Sequence, residues 1–258
     1  MMGLIVYEAL LFAVFFLLLP KALSTMILES EFAGLLFFGV FGVIPIFLVT
    51  HYSQRLETEL WTHLAARYQF TYVHEPYFQE YALMFKQGHA RGTRHGLMGT
   101  LQDRAFRIFQ YQFTIGHGKH SRTYHYCVSE VVFAGTFPHL YLNNTRNRDL
   151  QDLKGFFLPR VPLPSVFDGN FKLHAPEGYE IEALEIFTPD VLEHILSSEW
   201  THDIELVDQK LYAFREKPIY SEADLEEEVE QLRQLVALLS PALNRARLTP
   251  IGDLPATL

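Results

Sequence analysis

The sequence is poor in cysteine, and its first fifty residues are almost free of charge. Cys127 is the only cysteine among the 258 residues, so no internal disulfide can form. Residues 1–50 carry four charged side chains, and all 12 histidines lie at or after His51. This distribution excludes a disulfide scaffold, a disordered chain and a protein that is soluble along its whole length.

The sequence also lacks the short motifs by which many enzymes are recognised. It contains no His-Glu-x-x-His motif, no phosphate-binding Gly-x-x-x-x-Gly-Lys loop, no Gly-x-Gly-x-x-Gly turn and no Gly-x-Ser-x-Gly elbow. Cys127 is a conceivable nucleophile, but its place between Tyr126 and Val128 on a predicted strand indicates a small core residue. We therefore expect a non-enzymatic protein and predict no cofactor.

Two apolar runs stand near the start of the chain, at residues 3–19 and 32–50, and the second carries no charge at all. Each is about long enough to span a hydrocarbon core of roughly 30 Å as a helix. A signal peptide would need a basic start and a small-residue cleavage site, and the first run has neither. The sequence predicts a two-helix transmembrane hairpin over residues 1–51, with a buried hairpin in a soluble protein as the alternative.

The orientation of this hairpin is predicted from the basic residues that flank it. The connecting loop carries Lys21, whereas Arg55 and Arg67 follow the second run. Because basic residues concentrate on the cytoplasmic side, this favours a multi-pass protein with both termini in the cytoplasm.

The remaining sequence predicts a cytoplasmic α+β domain over residues 52–248, built from an antiparallel sheet with packed helices and followed by a tail at 249–258. Leucines every four residues predict a helix over 52–68, and glycines at 88, 92, 96 and 99 predict turns within 86–100. Residues 105–113 predict a strand with a bulge near Ile108, because the apolar alternation changes phase there. A hairpin tip at 116–120 and a return strand over 122–134 follow.

The second half of the domain is read from the same local signals. The sequence predicts a strand at 139–142, an irregular connection at 150–168, a strand at 171–174, a helix opened by Thr188 and Pro189, a hairpin over 202–215 and a long helix from Ser221. Pro241 is expected to kink or end that helix.

The last helix carries a heptad stripe formed by Leu225, Val229, Leu232, Val236, Leu239 and Leu243. Such a stripe packs either on the sheet of its own domain or on a helix of another chain. Self-association through this helix is therefore one of the two predictions that the sequence leaves open.

Charge is segregated along the domain. Residues 86–122 hold seven basic residues and one acid, whereas residues 177–230 hold seventeen acids and three basic residues. Six of the basic residues are predicted as a surface for the membrane or for a protein partner: Arg91, Arg94, Arg104, Arg107, Lys119 and Arg122. The alternative is that the basic hairpin faces the acidic segment within the same fold. A nucleic-acid partner is not expected, because the domain as a whole is acidic.

Three histidines near the hairpin tip are the candidate metal ligands: His117, His120 and His125. Zinc takes imidazole ligands, and catalytic zinc sites commonly use three protein ligands. A membrane-tethered, metal-dependent hydrolase is therefore the alternative function.

The order of short motifs from Gly99 to Asn143 resembles a group of uncharacterised bacterial membrane-anchored proteins. The shared pattern includes the alternating aromatics Phe109, Tyr111 and Phe113, the Gly118-Lys119 turn and Pro138 before the next strand. The resemblance implies one or two N-terminal membrane helices and a cytoplasmic α+β domain. It transfers no catalytic residue, and Gln110 stands where the group commonly carries an acid.

These observations together predict a membrane-anchored, non-enzymatic module. Its cytoplasmic domain is expected to bind a protein partner or the membrane surface.

Overall fold

The computed structural model describes residues 44–78, 81–147, 158–198 and 200–246. Within them, five α-helices and one antiparallel sheet of seven strands form an α+β fold, as the sequence predicts. The chain divides into two compact units, residues 1–59 and 60–258, and the sheet belongs to the second unit.

The helices are α1 (Ile44–Tyr68), α2 (Ser165–Asp168), α3 (Glu180–Ile186), α4 (Pro189–Ser197) and α5 (Glu222–Ala246). The strands are β1 (Thr71–Val73), β2 (His89–Leu101), β3 (Arg104–Ile115), β4 (Arg122–Asn144), β5 (Arg160–Val161), β6 (Phe171–His174) and β7 (Asp203–Arg215). Two short 3₁₀ turns, Leu83–Lys86 and Gly118–His120, complete the described elements.

The predicted transmembrane hairpin lies almost wholly outside the described residues. Only residues 44–50 of its second run are described, and they are helical as part of α1. No helix within the four described ranges combines the length and the apolar character that a membrane span requires. The hairpin therefore stays a prediction, and the predicted tail at 249–258 also lies outside the described residues.

Strand β4 organises the sheet, because it is long enough to take two partners along one edge. Its first half pairs with β3, from Arg122 opposite Ile115 to Val131 opposite Phe106. Its last residues, 141–144, pair with β6, while β7 pairs along its other edge. The two strands predicted at 122–134 and 139–142 are thus one element.

Three of the four glycines, Gly92, Gly96 and Gly99, lie within strand β2, so the prediction of turns is wrong for them. Gly88 lies in a bend just before the strand and has a φ of +59°. Gly96 and Gly99 lie within β2 where neighbouring side chains approach its backbone. A Cβ at Gly96 would lie 2.8 Å from Pro76 Cγ, and one at Gly99 would lie 2.7 Å from the ring of Phe70. These glycines therefore allow close packing, which local sequence does not distinguish from a turn.

Strand β3 pairs with β4 without interruption. A register shift does lie beside Ile108, but the extra residue is in β2, where His95 stands between Arg94, opposite Gln110, and Gly96, opposite Phe109. Successive side chains of a strand point to opposite faces, and here both faces are buried. Phe106 and Ile108 pack on the side of the helices, whereas Phe109 and Tyr111 pack on the other side. The apparent change of phase reflects a strand with two apolar faces.

Two hydrophobic cores follow from this arrangement. On one side of the sheet, which we call the helix face, residues of α1, α3, α4 and α5 pack against the strands, with Trp61 and Leu64 from α1 fully buried. On the opposite side, the second face, the 3₁₀ turn at 83–86 covers the strands and buries Met84 and Phe85 among aromatic rings.

The predicted hairpin over 202–215 is a single strand, β7, which pairs with β4 along its length. Its buried residues change phase between Leu206 and Leu211, and Asp208 between them has a positive φ of 59°. Register shifts lie at the matching part of β4, between Val132 and Leu140. A bulge rather than a turn causes the change of phase.

The two helices whose starts are predicted begin where expected. The Thr188 hydroxyl accepts a hydrogen bond from the Val191 N–H before α4, and the Ser221 hydroxyl accepts one from the Asp224 N–H before α5. Helix α5 continues past Pro241 to Ala246, so the proline does not end it.

The heptad stripe of α5 packs into the core of its own domain. Its members other than the partly buried Val229 are buried: Leu225, Leu232, Val236, Leu239 and Leu243. These side chains pack within their own chain, which favours the first of the two predicted alternatives for the stripe, and self-association of the protein stays a prediction.

Candidate interaction surface

The six basic residues predicted as one surface are divided among four places. Arg91, Lys119 and Arg122 lie at one end of the sheet, where β2 begins and the β3–β4 hairpin turns. Arg104 lies at the start of β3, eleven residues before Ile115 at that end. At about 3.3 Å per residue this places it roughly 36 Å away along the strand.

Arg94 and Arg107 lie on opposite faces of the sheet. Arg94 pairs with Gln110 of β3, and by strand alternation Gln110 shares the helix face with Ile108. Arg107 shares the second face with Phe109, over whose ring its guanidinium lies at 5.1 Å. The prediction of a single basic surface is therefore corrected: the sheet separates its members.

A group of three basic residues and three histidines lies at the hairpin end, and we call it the basic tip. It consists of His89, Arg91, His117, Lys119, His120 and Arg122, all of them exposed. The turn that presents them requires Gly116, which has a φ of +82°. A Cβ there would lie 2.5 Å from the carbonyl oxygen of His120.

Several contacts hold the basic tip in place. The rings of His89 and His117 stack in parallel at 4.8 Å, and His89 Nε2 lies 2.7 Å from the carbonyl oxygen of Gly116. Arg91 donates a hydrogen bond of 2.6 Å to the carbonyl oxygen of Phe85. Arg122 lies over the ring of Tyr124 at 4.7 Å. The cations are thus positioned by the hairpin while remaining open to solvent.

The alternative that the basic hairpin faces the acidic segment 177–230 has little support in the structure. Arg122 lies 4.0 Å from Glu216, at the limit of an ion pair, and both side chains are largely exposed. Arg107 pairs instead with Glu130 of β4, at 2.6 Å. Exposed ion pairs contribute little to stability. This contact therefore leaves the side chains of the basic tip exposed to solvent.

Arg107 belongs to a separate charged cleft of about 240 Å³ on the second face. Glu130, which is nearly buried, accepts from Arg107 and lies 3.2 Å from Lys210 Nζ. Arg107 also donates to the carbonyl oxygen of Tyr77. These contacts hold Arg107 within the fold, and we assign it a structural role.

The three candidate metal ligands do not form a metal site. His117 and His120 lie at the basic tip, whereas His125 lies within β4 opposite Gln112. In the part of the chain that the structure describes, no group of three or more His, Cys, Asp or Glu side chains could hold a metal ion. The arrangement therefore offers no support for the metal-dependent hydrolase.

A buried ionic cluster lies on the helix face, and its members are distant in the sequence. Glu228 of α5 accepts from Ser129 at 2.5 Å, lies 3.0 Å from His202 Nε2 and pairs with Arg215 at 2.8 Å. Burial by itself raises the pKa of Glu228, but His202, Arg215 and Ser129 together lower that pKa to about 2.

Two further carboxyl groups are buried on β7. Asp203 accepts from the Asn144 N–H at 2.6 Å and from Tyr141 and Asn147, while burial raises its pKa well above the usual range. Glu205 accepts from the Leu83 N–H at 2.8 Å and lies 2.5 Å from His139 Nε2, and burial raises its pKa as well. Both side chains are sealed from solvent, so we assign them to the architecture of the sheet.

Sequence reasoning missed all three buried acids. Glu228 stands among the exposed acids Glu226, Glu227 and Glu230, and nothing in the local pattern separates it from them. Asp203 and Glu205 alternate with Ile204 and Leu206, a pattern typical of a strand with one exposed face. Only the register of β4 against β7 and the packing of α5 bring their partners together.

The fold and its surface define the chain as an α+β domain with an antiparallel sheet, two covered faces and a cationic hairpin end. No protein-family model matches the chain, and no curated protein matches it either.

One solved structure is similar in fold: the crystal structure of the mycobacterial trehalose monomycolate transport factor A, TtfA. The superposition has a TM-score of 0.50 and covers 70% of this chain and 94% of the TtfA chain, with 12% sequence identity. At that identity the likeness shows the fold alone.

Proposed function

We propose that this protein is a membrane-anchored, non-enzymatic module whose sheet domain docks on a protein partner through the basic tip. The observation that carries the proposal is the exposure of six cationic or titratable side chains at one end of β2, β3 and β4. Complementary charge at an interface steers association and selects partners. The partner surface would accordingly be acidic.

The membrane anchor in this proposal rests on the sequence. The apolar runs at 3–19, which contains the single acid Glu8, and 32–50, which is uncharged, have the length and composition of transmembrane helices. An anchor would hold the sheet domain near the bilayer and restrict its partners to proteins of the membrane or its surface.

The likeness to TtfA supports an accessory role. That protein is described as a transport factor, and we propose by analogy that this chain assists a membrane assembly rather than catalysing a reaction. The analogy is one of fold, so the substrate of TtfA is not carried over to this chain.

An anionic membrane surface is the second candidate partner, and the same basic tip favours it. Each Lys or Arg near an anionic bilayer contributes about 1 kcal/mol of attraction. The experiment must therefore distinguish a protein from a lipid.

The test places a photo-crosslinking amino acid at Ser121, an exposed position within the basic tip, in the full-length chain in its source cells. We expect one protein adduct, which disappears when Lys119→Glu is combined with Arg122→Glu. The matched control combines Lys172→Glu with Arg245→Glu, which changes charge equally at positions outside the tip.

The outcomes separate the candidates. A protein adduct that is lost only with the tip variant supports docking on a protein. An adduct with lipid alone assigns the tip to the membrane surface. An adduct that persists in the tip variant refutes the role of the tip charges.

A further inference from the structure

An apolar groove lies on the helical side of the second unit, away from the basic tip in the sequence. It has a volume of about 490 Å³ and is lined by a proline-rich strap and by two helices: Pro162, Leu163, Pro164, Leu184, Phe187, Pro189 and Leu192. No charged side chain is among these lining residues. The volume falls within the range of roughly 300–1,000 Å³ that is typical of binding pockets.

The walls of the groove are rigid. Three of the lining residues are prolines, whose φ is restricted by the ring. The opposite wall is fixed by Phe187 and Leu192, which are buried in the core with about 1% exposure each. A preformed site loses less entropy when it binds a ligand.

Exposed apolar side chains extend the groove onto the surface. Ile181 and Leu184 are three residues apart on α3, so they share one side of that helix, and they are 72% and 39% exposed. Val166 on α2, two residues after the strap, is 67% exposed. Exposed apolar residues close in the chain to the lining of a groove favour an interaction site there.

The two helices that line this groove carry mainly acids, and His194 in the last turn of α4 is the one basic side chain on them. Residues 177–193 contain six acids and no Lys or Arg: Glu177, Glu180, Glu182, Glu185, Asp190 and Glu193. The nearest basic residue of the strap, Arg160, is paired with Asp168 at 2.6 Å. The lining of the groove is apolar, and two exposed acids, Glu185 and Glu193, directly follow its lining residues Leu184 and Leu192 in the chain. We call these two acids the rim.

We propose that this groove binds a basic amphipathic helix of a partner protein. The apolar face of such a helix would lie against Leu184 and Leu192, and its Lys or Arg residues would face Glu185 and Glu193. Amphipathic helices commonly dock into apolar grooves through side chains spaced by three or four residues. The charge complementarity selects a basic helix over an acidic one. The groove shares no residue with the basic tip. The proposal for the groove is therefore tested independently of the proposed function.

The test measures binding of a fluorescent Leu/Lys helical peptide to the full-length chain in nanodiscs of uncharged lipid, by fluorescence anisotropy. Empty nanodiscs give the background, and a peptide with Glu in place of Lys gives the charge control. We expect the Lys peptide to bind, with an affinity that falls as salt is raised, because the rim charges are screened.

Two variants assign the binding to the groove. Combining Glu185→Lys with Glu193→Lys should weaken the Lys peptide about tenfold or more, which corresponds to about 1.4 kcal/mol. Leu184→Asn should weaken both peptides. The matched control, Glu216→Lys with Glu230→Lys, makes the same change of charge outside the groove and should leave binding within about twofold.

Circular dichroism and tryptophan fluorescence establish that each variant keeps the fold. Absence of binding by the Lys peptide overturns the proposal. So does equal binding of the Glu peptide, which would indicate a general apolar surface or a site for lipid chains. Equal weakening by the rim variant and the control variant would also refute the assignment.

Discussion

Replacing Glu228 by glutamine tests whether the buried ionic cluster is a principal support of the packing of α5 on the sheet. Glu228 is 1% exposed and Arg215, its partner at 2.8 Å, is 4% exposed. The amide introduced by Glu228→Gln could still accept from Ser129, but the buried guanidinium of Arg215 would lose its partner at 2.8 Å and keep only the exposed carboxylate of Glu227 at 3.8 Å. Removing one partner of a buried ion pair costs about 3–5 kcal/mol. This is a large share of the roughly 5–15 kcal/mol that stabilises a typical domain.

The pKa of Glu228 gives a second measure of the same interaction. Its decrease from 4.5 to about 2 corresponds to roughly 3 kcal/mol of stability, because one pKa unit equals about 1.4 kcal/mol. Since the pKa is lower in the folded state, this stability is fully present above about pH 4.5. It is lost as the pH falls from there towards 2, when the folded carboxylate takes up its proton.

The assay is urea unfolding of the full-length chain in detergent, followed by tryptophan fluorescence at several pH values. Trp200 is a suitable probe, because its ring lies 4.5 Å from that of His202 in the cluster. The matched control is Glu230→Gln, two residues further along α5, where Arg233 lowers the pKa of Glu230 to about 2 at the exposed surface. We expect the control to unfold at the same urea concentration as the wild-type chain, since exposed ion pairs contribute little to stability.

A double variant separates loss of attraction from burial of an unpaired charge. Arg215→Met combined with Glu228→Gln should recover most of the stability lost by Glu228→Gln alone, because no guanidinium is then buried without its main counter-charge. The ionic account of this cluster is refuted if Glu228→Gln and Glu230→Gln unfold at the same urea concentration. It is also refuted if the wild-type chain and Glu228→Gln lose stability in parallel below about pH 4.5.

Three further predictions test the packing and the caps. Gly99→Ala should cost about 1–3 kcal/mol in urea unfolding because its Cβ would meet the Phe70 ring, whereas Gly92→Ala, with nothing within 4 Å, should cost clearly less; equal costs would contradict the packing role of Gly99. Cys127 is fully buried, and burial raises the pKa of its thiol. We expect it to react with a thiol reagent in urea and not in the native protein. Fast labelling of the native protein would contradict the burial of this strand. Thr188→Ala should lower stability by about 1 kcal/mol through loss of its hydrogen bond to the Val191 N–H, while Thr188→Ser should retain it.

The candidate site was only partly predictable from the sequence. The hairpin tip and its basic residues follow from local signals, because glycines and alternating aromatics mark the turn and its strands. Which basic residues share a surface depends on strand pairing, which put Arg94 and Arg107 on opposite faces and placed Arg107 against Glu130. The apolar groove forms where a proline-rich strap packs near α3 and α4. No local sequence pattern predicts that packing.

The sequence by itself determined the elements whose signals are local. The caps at Thr188 and Ser221 start α4 and α5, and alternation marks β3 and β6, because hydrogen bonds and periodicity within a few residues suffice there. Only the tertiary structure decided what depends on distant partners. It made the glycines of β2 sites of close packing, the change of phase at Asp208 a bulge, and Glu228 a buried ion. The physical reason is that burial and pairing are set by neighbours far away in the chain.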